Sequence, residues 1–223
     1  MGRLRRNIHQ INAEPKEEGP KRKSHGPRKG GSFEREICKS LSYWWSNEER
    51  DDIFWRTAGS GARATVRSKK GKDTANSSGD ISALDPIGEP FIQFFFSEIK
   101  RGYPKGFDLI GMLDRHKSYN TPQQKKNTIY GWWEKLLKES KETKRRPLLI
   151  FKRDKGADCI CIDGFLFFEF QAHFGFFPTE KVIHYKFGIY DFVMITLSAF
   201  YNWIHPDGIK ELIANGQNQV PEL

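Results

Sequence analysis

Residues 79–100 read GDISALDPIGEPFIQFFFSEIK, and the fold expected for the whole chain turns on how this stretch is read. Asp80 opens a short apolar run of Ile81, Ala83 and Leu84. Asp85, Pro86 and Gly88 supply turn chemistry, and a second run rich in Phe and Ile closes on Glu98-Ile99-Lys100. The pattern predicts a hairpin. Strand side chains alternate faces, so Glu98 and Lys100 project from one side and Ile99 from the other. Two carboxylates and an ammonium at one end of a hairpin are costly to desolvate unless they share a cation. A hard divalent ion with oxygen ligands, most simply Mg²⁺, removes that cost. The residues by themselves thus predict a hydrolytic metal site.

The tripeptide Glu-x-Lys is not specific alone, since it also occurs at Glu14-Lys16, Glu139-Lys141 and Glu142-Lys144. Those three copies lie in polar or helical surroundings, where they read as solvated charge. Only Glu98-Lys100 closes an apolar strand and has an acidic residue opening the preceding one. The competing reading is an edge-strand ion pair, which needs no upstream Asp80.

The 223 residues are enough for one domain with a proper core, and 18 Phe among them argue for one. A formal charge of +9 predicts a polyanionic partner or a well-solvated surface. Cys38, Cys159 and Cys161 form no CxxC pair, which predicts a reducing, intracellular compartment without a structural disulfide or zinc. His116, His173, His184 and His205 lack metal-binding spacing as well. No run is long and apolar enough for a membrane span.

Residues 1–31 carry nine Lys and Arg against three Glu and read as a disordered basic arm, either a phosphate-contacting segment or a solubilising tail. Ser32 is the expected N-cap of a helix whose apolar face is Phe33, Ile37, Leu41 and Trp44, with Glu34 bordering that face. Asp52–Arg56 reads as a strand. The long loop after it, with Arg63, Arg67, Lys69, Lys70 and Lys72, reads as a segment that embraces DNA and orders on binding, or as a surface insertion.

Thr121-Pro122-Gln123-Gln124 predicts a helix start, continued by Ile129, Trp132, Trp133, Leu136 and Leu137 at amphipathic spacing. The two tryptophans read as core rather than as stacking platforms. Strands are expected at 148–152, 159–162 and 182–187, another at 165–170, and an apolar helix over 190–203, a run apolar enough to read as strand as well. The domain is expected to span 32–206, with a C-terminal elaboration from about 170 and a polar tail at 207–223. The order implies an α/β fold: a mixed central sheet flanked by helices.

The set Glu34, Asp80 and Glu98-Ile99-Lys100, on helix, strand and strand, resembles the PD-(D/E)XK nuclease superfamily. It is most similar to archaeal-type Holliday-junction resolvases and related phage endonucleases. KGGSFEREI (29–37) resembles the KGxxxEREL segment that opens those resolvases, and FWRTAGSGA (54–62) resembles their R-x-A-G-S segment. The later helix followed by PLLIFK (147–152) is a third likeness. The chain departs in having Gly79 where the motif has Pro, in a longer loop before Asp80, and in an unmatched C-terminal region.

The resemblance implies a restriction-endonuclease-like fold and a metal-dependent DNA endonuclease. Asp80, Glu98 and the backbone carbonyl of Ile99 would hold Mg²⁺, with Mn²⁺ substituting. Lys100 would orient or help deprotonate the attacking water, and Glu34 would hold a second metal or a metal-bound water. Arg35 and Arg56 would contact DNA near the cleaved phosphate, where Arg suits bidentate contact, and Ser60 would lie close by. Lys152 is an auxiliary contact at most. A homodimer cutting four-way or branched DNA in recombination is the favoured substrate reading. A general phage-type duplex nuclease and an inactive DNA-binding protein of the same fold are the alternatives.

Overall fold

The computed structural model describes residues 26–57, 79–102, 128–178 and 181–216. Helix α1 spans Gly26–Trp45. It begins upstream of Ser32, which is therefore an exposed residue inside the helix and not its N-cap, and it runs into the stretch assigned to the arm. Pro27 stands in its first turn, where a missing N–H costs nothing. Phe33, Ile37, Leu41 and Trp45 are its buried stripe, with Trp44 packed alongside.

Residues 79–100 do not form a hairpin. Strand β1 (Phe54–Arg56) pairs antiparallel with β2 (Ile81–Ala83), in register Trp55↔Ser82. The chain then makes a 3-10 turn at Pro86–Gly88, opened by Asp85 Oδ1 accepting the Ile87 N–H at 3.0 Å. A short helix α2 follows (Glu89–Phe94), with Pro90 in its first turn, and only then strand β3 (Phe95–Arg101). Pro90 is suited to a helix start, and Phe91, Ile92 and Phe94 find burial on a helix as readily as on a strand.

Helix α3 (Ile129–Thr143) is capped by Thr128, whose Oγ1 accepts from the Gly131 N–H. The start expected at Thr121 lies outside the described residues; the described helix begins at Thr128. Strands β4 (Arg146–Lys152) and β5 (Asp158–Asp163) lead into helix α4 (Gly164–Phe174), then β6 (Ile183–Phe187), β7 (Tyr190–Thr196), α5 (Leu197–Trp203) and α6 (Pro206–Ala214). Three expectations fall here. Residues 165–170 are helical because Asp163 caps the Leu166 N–H at 2.8 Å. The run 190–203 is a strand and then a helix, divided where Thr196 caps Ala199 at 3.2 Å. Residues 206–214 are helical and not a polar tail, with Ile209 and Leu212 buried in the core.

The main sheet has the order β3-β4-β5-β7-β6, with β3 and β4 parallel and the other pairs antiparallel. Period-two alternation gives it two apolar faces. Ile99, Leu148, Ile150, Ile160, Ile162, Val193 and Ile195 pack with α1, α2, α4, α5 and α6. Phe96, Leu149, Phe151, Cys161, Phe192 and Met194 pack beneath α3, where Trp132 and Trp133 are core residues as expected. The C-terminal helices buttress α1: the Trp44 indole donates to the Ile204 carbonyl at 3.0 Å, and Ser40 meets Tyr201 at 3.0 Å. The protein is thus an α/β fold with a mixed five-stranded sheet flanked by helices, consistent with the restriction-endonuclease-like architecture. Among the described residues its strand β3 is an edge.

Candidate active site

The edge of β3 is where Asp80 arrives. Gly79 has φ +94°, and a Cβ there would lie 2.8 Å from the Ser97 carbonyl oxygen. Glycine alone permits this approach without strain. It lets the Asp80 N–H donate to Ser97 O at 2.8 Å, while Asp80 Oδ2 accepts the Ile99 N–H at 2.7 Å. Backbone groups of alternate strand residues face opposite edges. Ser97 and Ile99 therefore face Asp80, the Ile99 carbonyl included, whereas Glu98 and Lys100 turn their backbone groups towards β4.

Glu98 follows the parity of Phe96, on the α3 side of the sheet, and is 5% exposed. Lys100 Nζ contacts its Oε1, and Lys135 Nζ of α3 reaches the same oxygen at 3.1 Å. Burial favours the neutral acid, but the two ammonium groups outweigh it and hold the Glu98 carboxyl below the usual carboxylate range. Lys135 also pairs with Glu139 at 3.6 Å. Burial raises the Glu139 carboxyl despite that partner.

Glu34 enters from the other face of the sheet, on α1. Its Oε2 lies 2.9 Å from Arg56 Nε, yet the N–H is not aimed along that line, and both buried atoms lack a hydrogen bond. The guanidinium lies against Gly31, where a Cβ would approach Arg56 Nη1 to 2.8 Å. A buried serine fastens β1 to the helix: Ser42 Oγ donates to Cys38 O at 2.8 Å and accepts the Phe54 N–H at 2.9 Å. Cys38 feels the whole cluster. Burial first, then the charges of Glu34 and Asp80, push its thiol up to about 12. It is an inert core residue.

The structure brings Asp80, Glu98, Ile99 and Lys100 to one place at the edge of β3, with Glu34 and Arg56 beside it as an ion pair. Glu34 leans on Arg56 rather than on Asp80. Arg35 is exposed on α1. Ser60, Arg63, Arg67, Lys69 and Lys70 lie outside the described residues. Lys152 faces the α1 side, paired with Asp158 at 2.7 Å and 5.7 Å from the Phe33 ring, so it does not join the site. Sequence reasoning missed Lys135. Its only signal was a position on the flank of the apolar face, next in line to Trp132 and Glu139.

Among the described residues no three His, Cys, Asp or Glu side chains converge into a metal cage. The donor set is two buried carboxylates and the Ile99 carbonyl. All-oxygen sets of this kind fit a hard divalent ion, which keeps several of its waters. The unsatisfied Glu34 Oε2 is a ready acceptor for one of them. No helix of the described residues is long and apolar enough to cross a membrane.

No curated protein and no solved structure matches the chain. The family described as "Phage putative PDDEXK endonuclease" matches residues 26–211, from the first residue of α1 into α6. The match covers every element that builds the site. With two carboxylates and a lysine gathered on the edge of β3, the chain belongs to this phage PDDEXK endonuclease family and is a nuclease.

Proposed function

We propose that the protein is a Mg²⁺-dependent DNA endonuclease that acts on branched or four-way-junction DNA as a homodimer, with Mn²⁺ able to substitute. The observation that carries the metal-dependent reading is the pairing of Asp80 and Glu98. Both are buried, and Asp80 is fixed by the Ile99 amide while two lysines neutralise Glu98. Side chains packed this way have little use as surface charge. They bind a cation and a phosphate.

Asp80, Glu98 and the Ile99 carbonyl would hold the ion, which when bound acidifies water and offsets charge on the phosphate. Lys100, on the same strand face as Glu98, orients the attacking water and donates to the scissile phosphate. Glu34 holds a water at the far side of the site, and Arg56 presents its guanidinium to a neighbouring phosphate. Ser60, Arg63, Arg67, Lys69 and Lys70, with the cationic stretch 1–25, supply sequence-independent contacts along the duplex. Junction preference is supported by the likeness of residues 29–37 and 54–62 to the resolvase segments. A homodimer follows from the need for two symmetric nicks. A catalytically dead binding protein is disfavoured because each implied position holds a competent residue.

The test uses a synthetic four-way junction and matched linear duplex, with Mg²⁺ or chelator, for the natural protein and Lys100→Ala. Metal-dependent cutting of the junction alone supports the full reading. Equal cutting of duplex replaces the substrate class with general DNA, and binding without any cut in Mg²⁺ overturns the catalytic assignment. Sedimentation of the protein with and without junction decides the dimer.

A further inference from the structure

Lys135 is not part of the Glu-x-Lys motif, yet it meets the buried carboxylate of that motif. Its Nζ lies 3.1 Å from Glu98 Oε1, on the oxygen that Lys100 also contacts. The two lysines differ in where they stand. The Lys100 side chain is 23% exposed and that of Lys135 is 50%, over a Glu98 side chain at 7%. Lys135 thus sits at the solvent side of the carboxylate, and its partner Glu139 lies one helical turn further along α3 at 3.6 Å. The ordinary i,i+4 surface pair accounts for the Glu139 contact. It does not account for a helix lysine turned onto a strand carboxylate.

The charges around the two carboxylates suggest why. Among the described residues, and without an ion, the carboxylates Asp80, Glu98 and Glu139 face the ammonium groups of Lys100 and Lys135. Addition of a divalent cation leaves an excess of positive charge at the β3 edge. A half-exposed ammonium repelled by that ion has a flexible four-carbon stem on which to move outward, towards the next available anion. Within the protein that anion is Glu139, already 3.6 Å away, and in the complex with DNA it is a backbone phosphate.

From this geometry we infer that Lys135 is a positioning residue that couples metal binding to DNA binding: it is the resident counter-ion of Glu98 until a divalent ion displaces it onto a backbone phosphate. The inference rests on Glu98 being a metal ligand, as proposed above. Its consequence is reciprocal linkage, so the ion tightens DNA binding by the same factor that DNA tightens the ion. Removing Lys135 removes a like charge from the ion's path and the phosphate's new partner together. Metal affinity without DNA should rise while the linkage shrinks to what the ion's own contact with the phosphate supplies.

The experiment measures Mn²⁺ binding to DNA-free protein by calorimetry. It also measures binding of labelled DNA in chelator and in Ca²⁺, a hard ion used to support binding without turnover. Lys135→Met is compared with Lys135→Arg, with Glu139→Gln, and with Lys138→Met, an exposed lysine on the same helix. Lys135→Met is expected to bind Mn²⁺ on the order of tenfold more tightly, the scale of one partly screened like charge. The Ca²⁺-dependent gain in DNA affinity should be smaller than in the natural protein, with kcat reduced more than KM is raised. Lys135→Arg should retain the coupling and Lys138→Met should match the natural protein. Glu139→Gln, which removes a negative charge beside Lys135, should weaken Mn²⁺ binding.

Unchanged metal affinity and unchanged coupling in folded Lys135→Met overturn the inference, as does equal loss in Lys138→Met. Should Lys135→Met not fold, the opposite shift in Glu139→Gln carries the decision, and no shift there overturns it. Glu98→Gln separates the two levels: if it binds Mn²⁺ as the natural protein does, the metal-site reading fails, whatever Lys135 does.

Discussion

The Ile99 amide donates to Asp80 Oδ2 at 2.7 Å, so the first acidic residue of the site is locked to the backbone beside the second. Ile99 is the residue between Glu98 and Lys100. One hydrogen bond therefore fixes the Asp80 carboxylate against the backbone that carries Glu98 and Lys100. Preorganisation of this kind removes reorganisation from the reaction itself.

Asp80→Asn keeps an oxygen that can accept from Ile99 but loses the charge. Cleavage should fall by more than about 100-fold, the upper reach of changes made behind a metal ligand, with the melting temperature and the DNA affinity in chelator nearly unchanged. Asp80→Ala, which also loses the hydrogen bond, should lower the melting temperature as well. Cleavage assays beside thermal denaturation read both. Normal cutting by Asp80→Asn would remove it from the metal site.

Gly31→Ala sets stability against function. The substitution should favour α1 by up to about 1 kcal/mol, the usual glycine-to-alanine difference in a helix interior. Its Cβ meets Arg56 Nη1 at 2.8 Å, the mobile end of a side chain, so the guanidinium yields and leaves Glu34. The variant should be as stable as the parent or more so and cut DNA more slowly. An unchanged rate would show that the Glu34–Arg56 pairing is dispensable.

Glu98 makes stability depend on pH. Its folded carboxyl is held low, because the lysines outweigh burial. The stabilisation is thus present above the unfolded value near 4.3 and is lost as pH falls through the lower folded value. In chelator at pH 7, Glu98→Gln should be less stable by about 1–3 kcal/mol, the range for a charged hydrogen bond. The gap should close below about pH 4. Denaturant titrations of both proteins from pH 3 to 7 test this.

Asp163 has the opposite sign. Burial raises its carboxyl, and Oδ2 is buried without a hydrogen bond, although Oδ1 caps α4. A raised acid favours folding below its unfolded value near 3.9, and that contribution is lost as pH rises through the folded value. Asn caps a helix as well as Asp does. Asp163→Asn should therefore be more stable than the parent at pH 7, with the gain vanishing at low pH. A less stable variant at pH 7 would show that the ionised carboxylate is needed beside Arg146.

Removing residues 1–25, which stops short of α1, should weaken DNA binding most at low salt. The slope of log affinity against log salt should flatten by roughly 0.9 for each phosphate that the stretch would have neutralised. An identical slope would leave the stretch without a part in binding.

Much of the site was legible because its residues announce their chemistry. Asp80, Glu98 and Lys100 sit beside apolar strands where charge is conspicuous, and Glu34 borders a clear helical stripe. The connections between them were not. Phe91–Phe96 has no period, and only Pro90 hinted that the run starts as a helix. Val193–Trp203 hides a strand and a helix in one apolar stretch, divided by the Thr196 cap. Phe165–Phe170 has strand-like composition but sits behind an Asp cap. Lys135 was illegible for another reason. A lysine among Glu and Lys on a helix looks solvated, and only the packing of α3 over β3 turns it onto Glu98.

Gly79, finally, constrains the route by which this sequence can vary. The PD-(D/E)XK motif that this stretch resembles is written with proline at the corresponding place, but proline holds φ near −65°, and this backbone needs +94°. No single base change turns a glycine codon into a proline codon. The one-step intermediates, alanine and arginine, both carry the Cβ that the Ser97 carbonyl excludes. Each step would therefore have to displace the Ser97 carbonyl or re-route the backbone that carries Asp80. Gly79 is thus a backbone solution of its own for bringing Asp80 to the edge of β3.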